Sequence, residues 1–246
     1  MATIVLVPGF WLGAWAWADV TRDLRAAGHD VYPVTLTGLA DRAAEAGPEV
    51  DVETHIADLL RLVEDNDLRD VVLVAHSGAT MPVTGAADRL PERIGRIVYV
   101  DTGPMPDGMA SIDFSPPEVR EAQRKLVETE GGGWSIPVPS FDPADDPVQY
   151  AGLTEEHRAA LREHATPQPF RTSTQALRRP SVLPATPRTL IASTFTPEQV
   201  TMLAGRGNPV FALMSEMDVH HLPTGHWPMF SRPRDLAAVL NEIART

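Results

Sequence analysis

The sequence predicts an α/β fold, with a mostly parallel sheet covered by helices on both faces. Three nearly unbroken apolar runs, Thr3–Val7, Val71–Ala75 and Ile94–Val100, have the composition of strands that are buried on both faces. Amphipathic segments of helix length separate them, and this alternation of strand and helix is typical of a parallel sheet. The 246 residues suit one such domain with an insertion, or at most two small domains. We therefore expect residues 1–246 to form a single domain.

The other elements of the first half follow from periodicity and capping. Ala14–Ala27 carries apolar side chains on one face and is followed by Gly28, which predicts a helix with a glycine C-cap. His29–Val34 is predicted as the second strand in chain order, and a polar loop follows it. Asp51 is a suitable N-cap for the next helix, which ends before the strand at Val71–Ala75.

The regular alternation stops after the strand at Ile94–Val100. Residues 104–187, with approximate bounds, contain many prolines, a glycine triplet and two helix-like stretches, Pro117–Thr129 and Thr154–His164. No convincing buried strand occurs among them. We therefore expect a mainly helical cap inserted over the sheet.

The end of the chain completes the predicted domain. Arg188–Ser193 resumes the sheet, Pro209–Met217 is predicted as a helix, Asp218–Leu222 as the last strand and Leu236–Ile243 as the closing helix.

Composition excludes several classes of function. The net charge of −12 and the lack of a basic patch argue against a nucleic-acid partner. The absence of cysteine excludes disulfides, thiolate metal sites and a cysteine nucleophile. No apolar stretch approaches membrane-spanning length and the N-terminus lacks a basic signal-peptide region, so we expect a cytoplasmic protein without a membrane partner. We expect neither a cofactor nor a metal site, and a homodimer stays open.

The strand at Val71–Ala75 ends abruptly at a turn, residues 76–78, that leads into a helix-compatible segment. A serine on such a turn projects above the sheet, and the residues that flank it must be small because strand and helix pass close together. The pattern here is Ala75-x-Ser77-x-Ala79, with alanine where the G-x-S-x-G motif has glycine. A helix N-cap serine is the alternative. Ser77 follows a buried parallel strand, where ligands of α/β sheets bind, so we interpret it as a nucleophile.

A serine nucleophile needs a histidine base at neutral pH. Among the eight histidines, His226 stands on a loop after the last predicted strand and just before the final helix. An early serine and a late histidine are the chain order of α/β-hydrolase triads. The alternative is a loop histidine bonded to backbone. His76 adjoins Ser77, and we expect it to pack below the turn.

Four segments together resemble the α/β-hydrolase superfamily, in the branch of small esterases that includes plant methylesterases and hydroxynitrile lyases. These segments are Val5–Trp15, Val34–Arg42, Ala75–Ser77 and Leu222–His226. The resemblance implies the α/β-hydrolase fold and an oxyanion hole made by the backbone N–H groups of Phe10 and Gly78. The first loop of that family usually begins His-Gly, whereas this chain has Pro8-Gly9.

Two carboxylates compete for the acid position. The family usually places the acid just after the strand at Arg188–Ser193, where this chain has none until Glu198. Asp101 directly follows the strand at Ile94–Val100, and haloalkane dehalogenases resemble this arrangement. A cap of the following turn is the other role open to Asp101. We favour it as the acid and keep Glu198 as the alternative.

The expected function is a serine hydrolase of the carboxylesterase type, which cleaves a small to medium hydrophobic ester through an acyl-enzyme. Ser77 attacks the ester, His226 transfers the proton and Asp101 orients His226. We expect Trp11, Met105 and Trp134 to contact the apolar substrate.

Two alternatives remain. A hydroxynitrile-lyase-like enzyme would resemble its relatives in using a cap lysine, for which Lys125 is the candidate in that region. A non-hydrolytic biosynthetic or ligand-binding protein on a degenerate hydrolase fold is favoured by Pro8, by the alanines of the elbow and by the missing late acid. The identity of the substrate stays open.

Overall fold

The computed structural model describes residues 1–245, and its centre is a six-stranded parallel sheet. The strand order is β2-β1-β3-β4-β7-β8. The strands are β1 Thr3–Val7, β2 Asp30–Pro33, β3 Val71–His76, β4 Ile94–Val100, β5 Ser135–Ile136, β6 Gln168–Pro169, β7 Arg188–Ala192 and β8 Asp218–His221. The α/β class and the parallel sheet predicted from the apolar runs are confirmed.

Helices cover both faces of this sheet. They are α1 Ala18–Ala26, α2 Val52–Asp65, α3 Thr80–Arg89, α4 Pro117–Thr129, α5 Glu155–His164, α6 Arg171–Thr174, α7 Pro197–Gly205, α8 Pro209–Met214, α9 Pro228–Ser231 and α10 Pro233–Ile243. Short 3₁₀ helices occupy Ala14–Trp17, Ala40–Glu45, Ser77–Ala79 and Ser111–Phe114. No helix within residues 1–245 has the length and apolar character needed to cross a bilayer.

Two hydrophobic cores lie on opposite faces of the sheet. Side chains of α2, α3 and α8 pack on one face, and those of α1 and α10 pack on the other. Every residue of β3 is buried, as its continuous apolar run predicts for a central strand covered on both sides. The sheet therefore gives the turn after β3 a rigid base.

Local signals explain where the helices begin. Asp51 accepts a hydrogen bond from the Thr54 backbone N–H, and the Thr54 hydroxyl accepts one from the Asp51 N–H, which forms a capping box at the start of α2. Thr196 and Gln199 form the same motif at α7, a helix that the apolar pattern alone does not indicate. The capping sequence, with Pro197 at the first helical position, is the signal for it.

The long connection between β4 and β7 contains α4, α5 and α6, at bounds close to the predicted helix-like stretches. It also contains a two-stranded antiparallel ladder of β5 and β6, so the expectation of no strand in this region was wrong. Two-residue strands have too little sequence to show a period of two. The connection is tied to α3 by a buried ion pair, in which Arg179 Nε lies 2.7 Å from Asp88 Oδ2.

Candidate active site

Ser77 lies on a sharp turn between β3 and α3, with a φ of +51°. The turn requires close neighbours to be small. A β-carbon on Gly9 would lie 2.8 Å from Ser77 Cβ, and one on Gly78 would overlap the Phe10 ring. Ala79, in place of the usual glycine, is accommodated as a buried residue with 2% exposure. The elbow geometry is therefore formed without the two motif glycines.

His226 joins Ser77 to Asp101 through its two ring nitrogens. His226 Nε2 lies 2.8 Å from Ser77 Oγ, and Nδ1 lies 2.7 Å from Asp101 Oδ2. An ionised carboxylate can only accept, so Nδ1–H donates to Asp101 and Nε2 accepts the Ser77 hydroxyl proton. The three side chains predicted from separate segments form one continuous hydrogen-bonded series.

Asp101 is buried, with 6% exposure, yet it is well supplied with donors. The Thr194 backbone N–H donates to Oδ1 at 2.8 Å, the Thr194 hydroxyl donates to Oδ2 at 2.8 Å, and the Ser193 N–H donates to Oδ1 at 3.0 Å. Burial would raise the pKa of Asp101, but hydrogen bonds from His226 and Thr194 outweigh it and lower the pKa. This carboxylate is therefore held in its charged form.

Glu198, the alternative acid, is not in this series. It lies exposed in the first turn of α7, where a hydrogen bond from Thr196 lowers its pKa. Asp101 fills the position beside His226 Nδ1 instead. Since β4 and β7 are neighbours in the sheet, the ends of both strands lie near His226, and the end of β4 supplies the carboxylate.

His76 lies beneath the elbow and is 1% exposed. Its Nε2–H donates to the backbone carbonyl of His226 at 2.7 Å, and its Nδ1 accepts the Gly9 N–H at 3.3 Å. Burial, together with the nearby His226, lowers the pKa of His76 to about 3. It is a neutral bridge between the first loop and the loop of His226.

Phe10 and Gly78 both line the space next to Ser77. Phe10 stands on the loop after β1, and its backbone N–H makes no hydrogen bond among the described loop contacts. Gly78 is the second residue of a 3₁₀ helix, where backbone N–H groups have no acceptor in the helix. The loop and the elbow therefore bring two uncommitted donors to one place.

A cavity of about 490 Å³ opens beside Ser77. Its apolar lining comes from the first loop, the long connection, α8 and the end of the chain: Phe10, Trp11, Phe114, Pro139, Tyr150, Phe195, Val210, Phe211, Met214 and Trp227. Outside the Ser77–His226–Asp101 series, Asp146 is the only charged side chain among the lining residues. His76 also lines the cavity, but its ring is neutral. The cavity suits an uncharged, largely apolar molecule.

Two residues expected to contact substrate lie outside this cavity. Met105 is completely buried in the core, and its carbonyl accepts a hydrogen bond from Arg179. Trp134 immediately precedes β5, and its carbonyl accepts the Phe170 N–H at 2.8 Å, which holds it at the small ladder. Trp11, the third candidate, does line the cavity. The two corrections follow from the packing of the long connection, which no local pattern reveals.

Four aromatic residues of the cavity wall, Tyr150, Phe195, Phe211 and Trp227, were not predicted as substrate contacts from the sequence. Tyr150 stacks on Trp227 at a centroid distance of 5.0 Å, and Phe195 meets Phe211 edge-on at 5.9 Å. Trp227 directly follows His226, so its position next to the candidate base was a usable signal. Tyr150 lacked any signal of this kind.

Neither a cap lysine nor a metal cluster is found at the cavity among the described residues. Lys125 is exposed on α4 and does not line the cavity. Within the described range, no three histidine, aspartate or glutamate side chains are grouped as metal ligands would be. Asp142 and Asp146 instead accept hydrogen bonds from nearby backbone N–H groups.

A parallel sheet that carries a serine, a histidine and an aspartate in hydrogen-bonded series at its carboxyl edge is the architecture of the α/β-hydrolases. The sequence model of one protein family, the Alpha/beta hydrolase family, matches residues 4–239 of this chain. The chain therefore belongs to this family. The family resemblance predicted from four short segments is confirmed.

Individual members of the family that are similar to this chain include esterases. Over 101 residues the chain is 46% identical to a carbendazim-hydrolysing esterase of Nocardioides sp. (strain SG-4G), and this match covers 41% of the chain and 42% of that esterase. It is 27% identical to Methylesterase 7 of Arabidopsis thaliana, over 98% of the chain and 95% of the relative. An extracellular α/β-hydrolase from a Paenibacillus species has the same fold, with a TM-score of 0.82 at 21% identity over 100% of both chains. The relatives' names support an esterase activity.

Proposed function

We propose that the protein is a serine carboxylesterase that hydrolyses small to medium, uncharged hydrophobic esters through an acyl-enzyme. The observation that carries this proposal is the continuous series Ser77–His226–Asp101, which opens into a largely apolar cavity. Residues 104–187 act as the cap of that cavity. The methylesterase relatives favour methyl esters among the substrates.

The first half of the reaction forms the acyl-enzyme. Ser77 Oγ attacks the ester carbonyl carbon while its proton passes to His226 Nε2, and Asp101 stabilises the resulting imidazolium. The charge that develops on the carbonyl oxygen is held by the N–H groups of Phe10 and Gly78. Such donors typically contribute about 3 kcal/mol each to the stability of the transition state. His226 then returns the proton to the departing alcohol.

The second half releases the acid. Water takes the position of the alcohol, gives its proton to His226 Nε2 and attacks the acyl carbon. The tetrahedral intermediate collapses, the carboxylic acid leaves, and Ser77 recovers its proton from His226. These steps require no group that the chain itself lacks.

The lining of the cavity supports an uncharged substrate. No lysine or arginine lines it within the described residues, so a substrate carboxylate would have no cationic partner. Asp146 at the same wall would repel such a group. Aromatic side chains on two sides instead offer apolar surface to the acyl or alcohol part.

The test is hydrolysis of p-nitrophenyl butyrate and of the methyl ester of an aromatic acid. Ser77→Ala should lower kcat by about 10⁴-fold or more, because it removes the nucleophile. Ser111→Ala is the matched control, since Ser111 lines the same cavity without contacting His226, and it should keep kcat within about threefold. Labelling of Ser77 by a phosphonate probe should accompany turnover.

Three outcomes would overturn the proposal. Ester turnover that survives Ser77→Ala would exclude the acyl-enzyme. Cleavage of a cyanohydrin by a protein that does not turn over esters would identify a lyase instead. An absence of any turnover together with an unreactive Ser77 would favour a non-hydrolytic protein.

A further inference from the structure

The backbone of Trp11 is fixed by the distant segment around β6. The Trp11 N–H donates to the Gln168 side-chain oxygen, Oε1, at 2.9 Å, across 157 positions of sequence. The Trp11 carbonyl accepts the Thr166 backbone N–H at 3.0 Å. Both polar groups of the Trp11 backbone are therefore bonded to the connection between β4 and β7.

This fixation matters because Trp11 has a φ of +67°, in the left-handed region that residues with a β-carbon rarely adopt. Such a conformation persists only when surrounding contacts impose it. The N–H that reaches Gln168 belongs to the peptide that joins Phe10 to Trp11. The direction of that peptide limits how the Phe10 backbone can rotate, and hence where the Phe10 N–H points.

Gln168 is itself held firmly in one orientation. Its side chain is 1% exposed, and its Nε2 donates to the Thr172 hydroxyl at 2.8 Å. That hydroxyl donates onward to the Pro169 carbonyl at 2.6 Å, so it has only an acceptor to offer the amide. The nitrogen of the amide must face Thr172, and the oxygen must face Trp11.

We propose that Gln168 is a positioning residue for the oxyanion hole, which acts through the Trp11 backbone on the N–H of Phe10. The inference rests on the proposed function, because it assigns that N–H to the transition state of ester cleavage. It makes the inserted region a part of the catalytic apparatus as well as a cover for the cavity. Gln168 touches neither the nucleophile nor the substrate in this role.

The central variant is Gln168→Met, which keeps the length of the side chain and removes its amide. The Trp11 N–H then loses its acceptor, and kcat for the ester should fall about 10- to 100-fold while KM changes less than about threefold. A trifluoromethyl ketone, whose adduct with Ser77 carries an oxyanion, should lose affinity by a factor similar to the fall in kcat. Binding of the product alcohol should not change, because the alcohol departs on the side of His226 and does not use the oxyanion donors.

Gln175→Met is the matched control. Gln175 also links the inserted region to the body of the protein, since its Nε2 donates to Asp51 Oδ2 at 3.1 Å and its Oε1 accepts the Glu53 N–H at 3.3 Å. It makes no contact with Trp11. This variant should therefore retain kcat and ketone affinity even if it unfolds at a lower temperature.

A second variant protects the test against misfolding. Gln168→Glu, in the protonated form of its carboxyl, offers one acceptor to Trp11 and one donor to Thr172, as the amide does. It should recover part of kcat as the pH is lowered, relative to wild type at the same pH. A general structural defect would not be relieved in this way.

The outcomes separate the two proposals. If Ser77→Ala abolishes turnover but Gln168→Met keeps wild-type kcat and ketone affinity, the positioning role is overturned and the esterase mechanism stands. If kcat, KM and product binding all worsen together in Gln168→Met and the Glu variant gives no recovery, the role of Gln168 is purely structural. If Ser77→Ala keeps wild-type turnover, both proposals fail.

Discussion

His76 Nε2–H donates to the backbone carbonyl of His226 at 2.7 Å, so the residue before the candidate nucleophile holds the loop that carries the candidate base. The same ring accepts the Gly9 N–H on its other nitrogen. Both bonds require the neutral imidazole with its proton on Nε2, because a protonated ring could not accept from Gly9. The relative placement of serine, histidine and first loop thus depends on one uncharged side chain.

The first prediction concerns stability at low pH. Burial lowers the pKa of His76 to about 3, whereas the pKa of a histidine in the unfolded chain is about 6.5. As the pH falls below that value, the unfolded chain takes up a proton that the folded protein does not. The free energy of unfolding should therefore decrease by up to about 1.4 kcal/mol per pH unit from this group, and be unaffected by it above pH ~7.

Urea unfolding at pH 7 and pH 5 measures this effect. His76→Gln should lose about 2 kcal/mol less than wild type between the two values. His221→Gln, at an exposed site at the end of β8, removes one histidine without altering the buried bridge. An identical pH dependence in wild type and His76→Gln would contradict the prediction.

The second prediction concerns Gly78. A β-carbon there would overlap the Phe10 ring, so Gly78→Ala must displace that ring, which stands on the loop that supplies one proposed oxyanion donor. We expect kcat to fall about 10- to 100-fold and the free energy of unfolding to drop by about 1–3 kcal/mol. Gly205→Ala is the control, because a β-carbon at Gly205 meets no atom within 4 Å. Equal kcat in the two variants would contradict the prediction, because it would show that the Phe10 ring can move without affecting catalysis.

The third prediction concerns the anchor of the inserted region. Arg179 and Asp88 form a bidentate pair, with distances of 2.7 and 2.8 Å, and their side chains are only 7% and 6% exposed. Asp88→Asn leaves a buried guanidinium without its counter-charge and should reduce the free energy of unfolding by about 3–5 kcal/mol.

The exposed pair of Arg89 and Glu53 provides the comparison, with side chains 36% and 46% exposed. Glu53→Gln should cost less than about 1 kcal/mol. Chemical unfolding of both variants measures the difference. Similar decreases in the free energy of unfolding for the two variants would contradict the prediction, because they would mean that burial of Arg179 does not strengthen its dependence on Asp88.

The fourth prediction concerns the charge of the substrate. Asp146 lines the cavity, and its Oδ1 accepts the N–H groups of Val148 and Gln149, a role that an asparagine oxygen can retain. Asp146→Asn should raise kcat/KM for a monomethyl dicarboxylate about 3- to 10-fold relative to a neutral methyl ester, because one repulsive charge is removed. Asp145→Asn changes the net charge equally but lies outside the cavity lining, so the ratio should stay at its wild-type value. If the ratio of the two kcat/KM values changes equally in both variants, the effect comes from the net charge of the protein and not from Asp146 in the cavity.

Much of the framework could be predicted because the signals are local. The strands at β1, β3 and β4 are continuous apolar runs, and the serine and histidine follow strands in the order that the fold demands. The candidate acid was harder to predict. β4 and β7 are adjacent in the sheet, so a carboxylate after either strand could face His226. The choice of Asp101 depends on its φ of +49°, which directs the side chain and has no signature in the sequence.

The cavity was the least predictable part. Met105 and Trp134 have the composition of substrate contacts, but one packs in the core and the other is held beside β5. Their positions depend on contacts between residues far apart in the chain. The ladder of β5 and β6 is likewise a product of such contacts, since each strand has only two residues. Side-chain roles in an irregular insertion therefore need coordinates.

Trp11, Ser77 and Asp101 all carry a β-carbon and all have a positive φ, of +67°, +51° and +49°. Each such residue typically raises the energy of the folded state by about 1–3 kcal/mol. The rest of the domain must therefore be stable enough to tolerate this deficit. Selection for thermal resistance alone would favour relaxed replacements at these three positions, and each such replacement would remove the proposed activity. Attempts to stabilise this protein should leave them fixed and seek gains elsewhere.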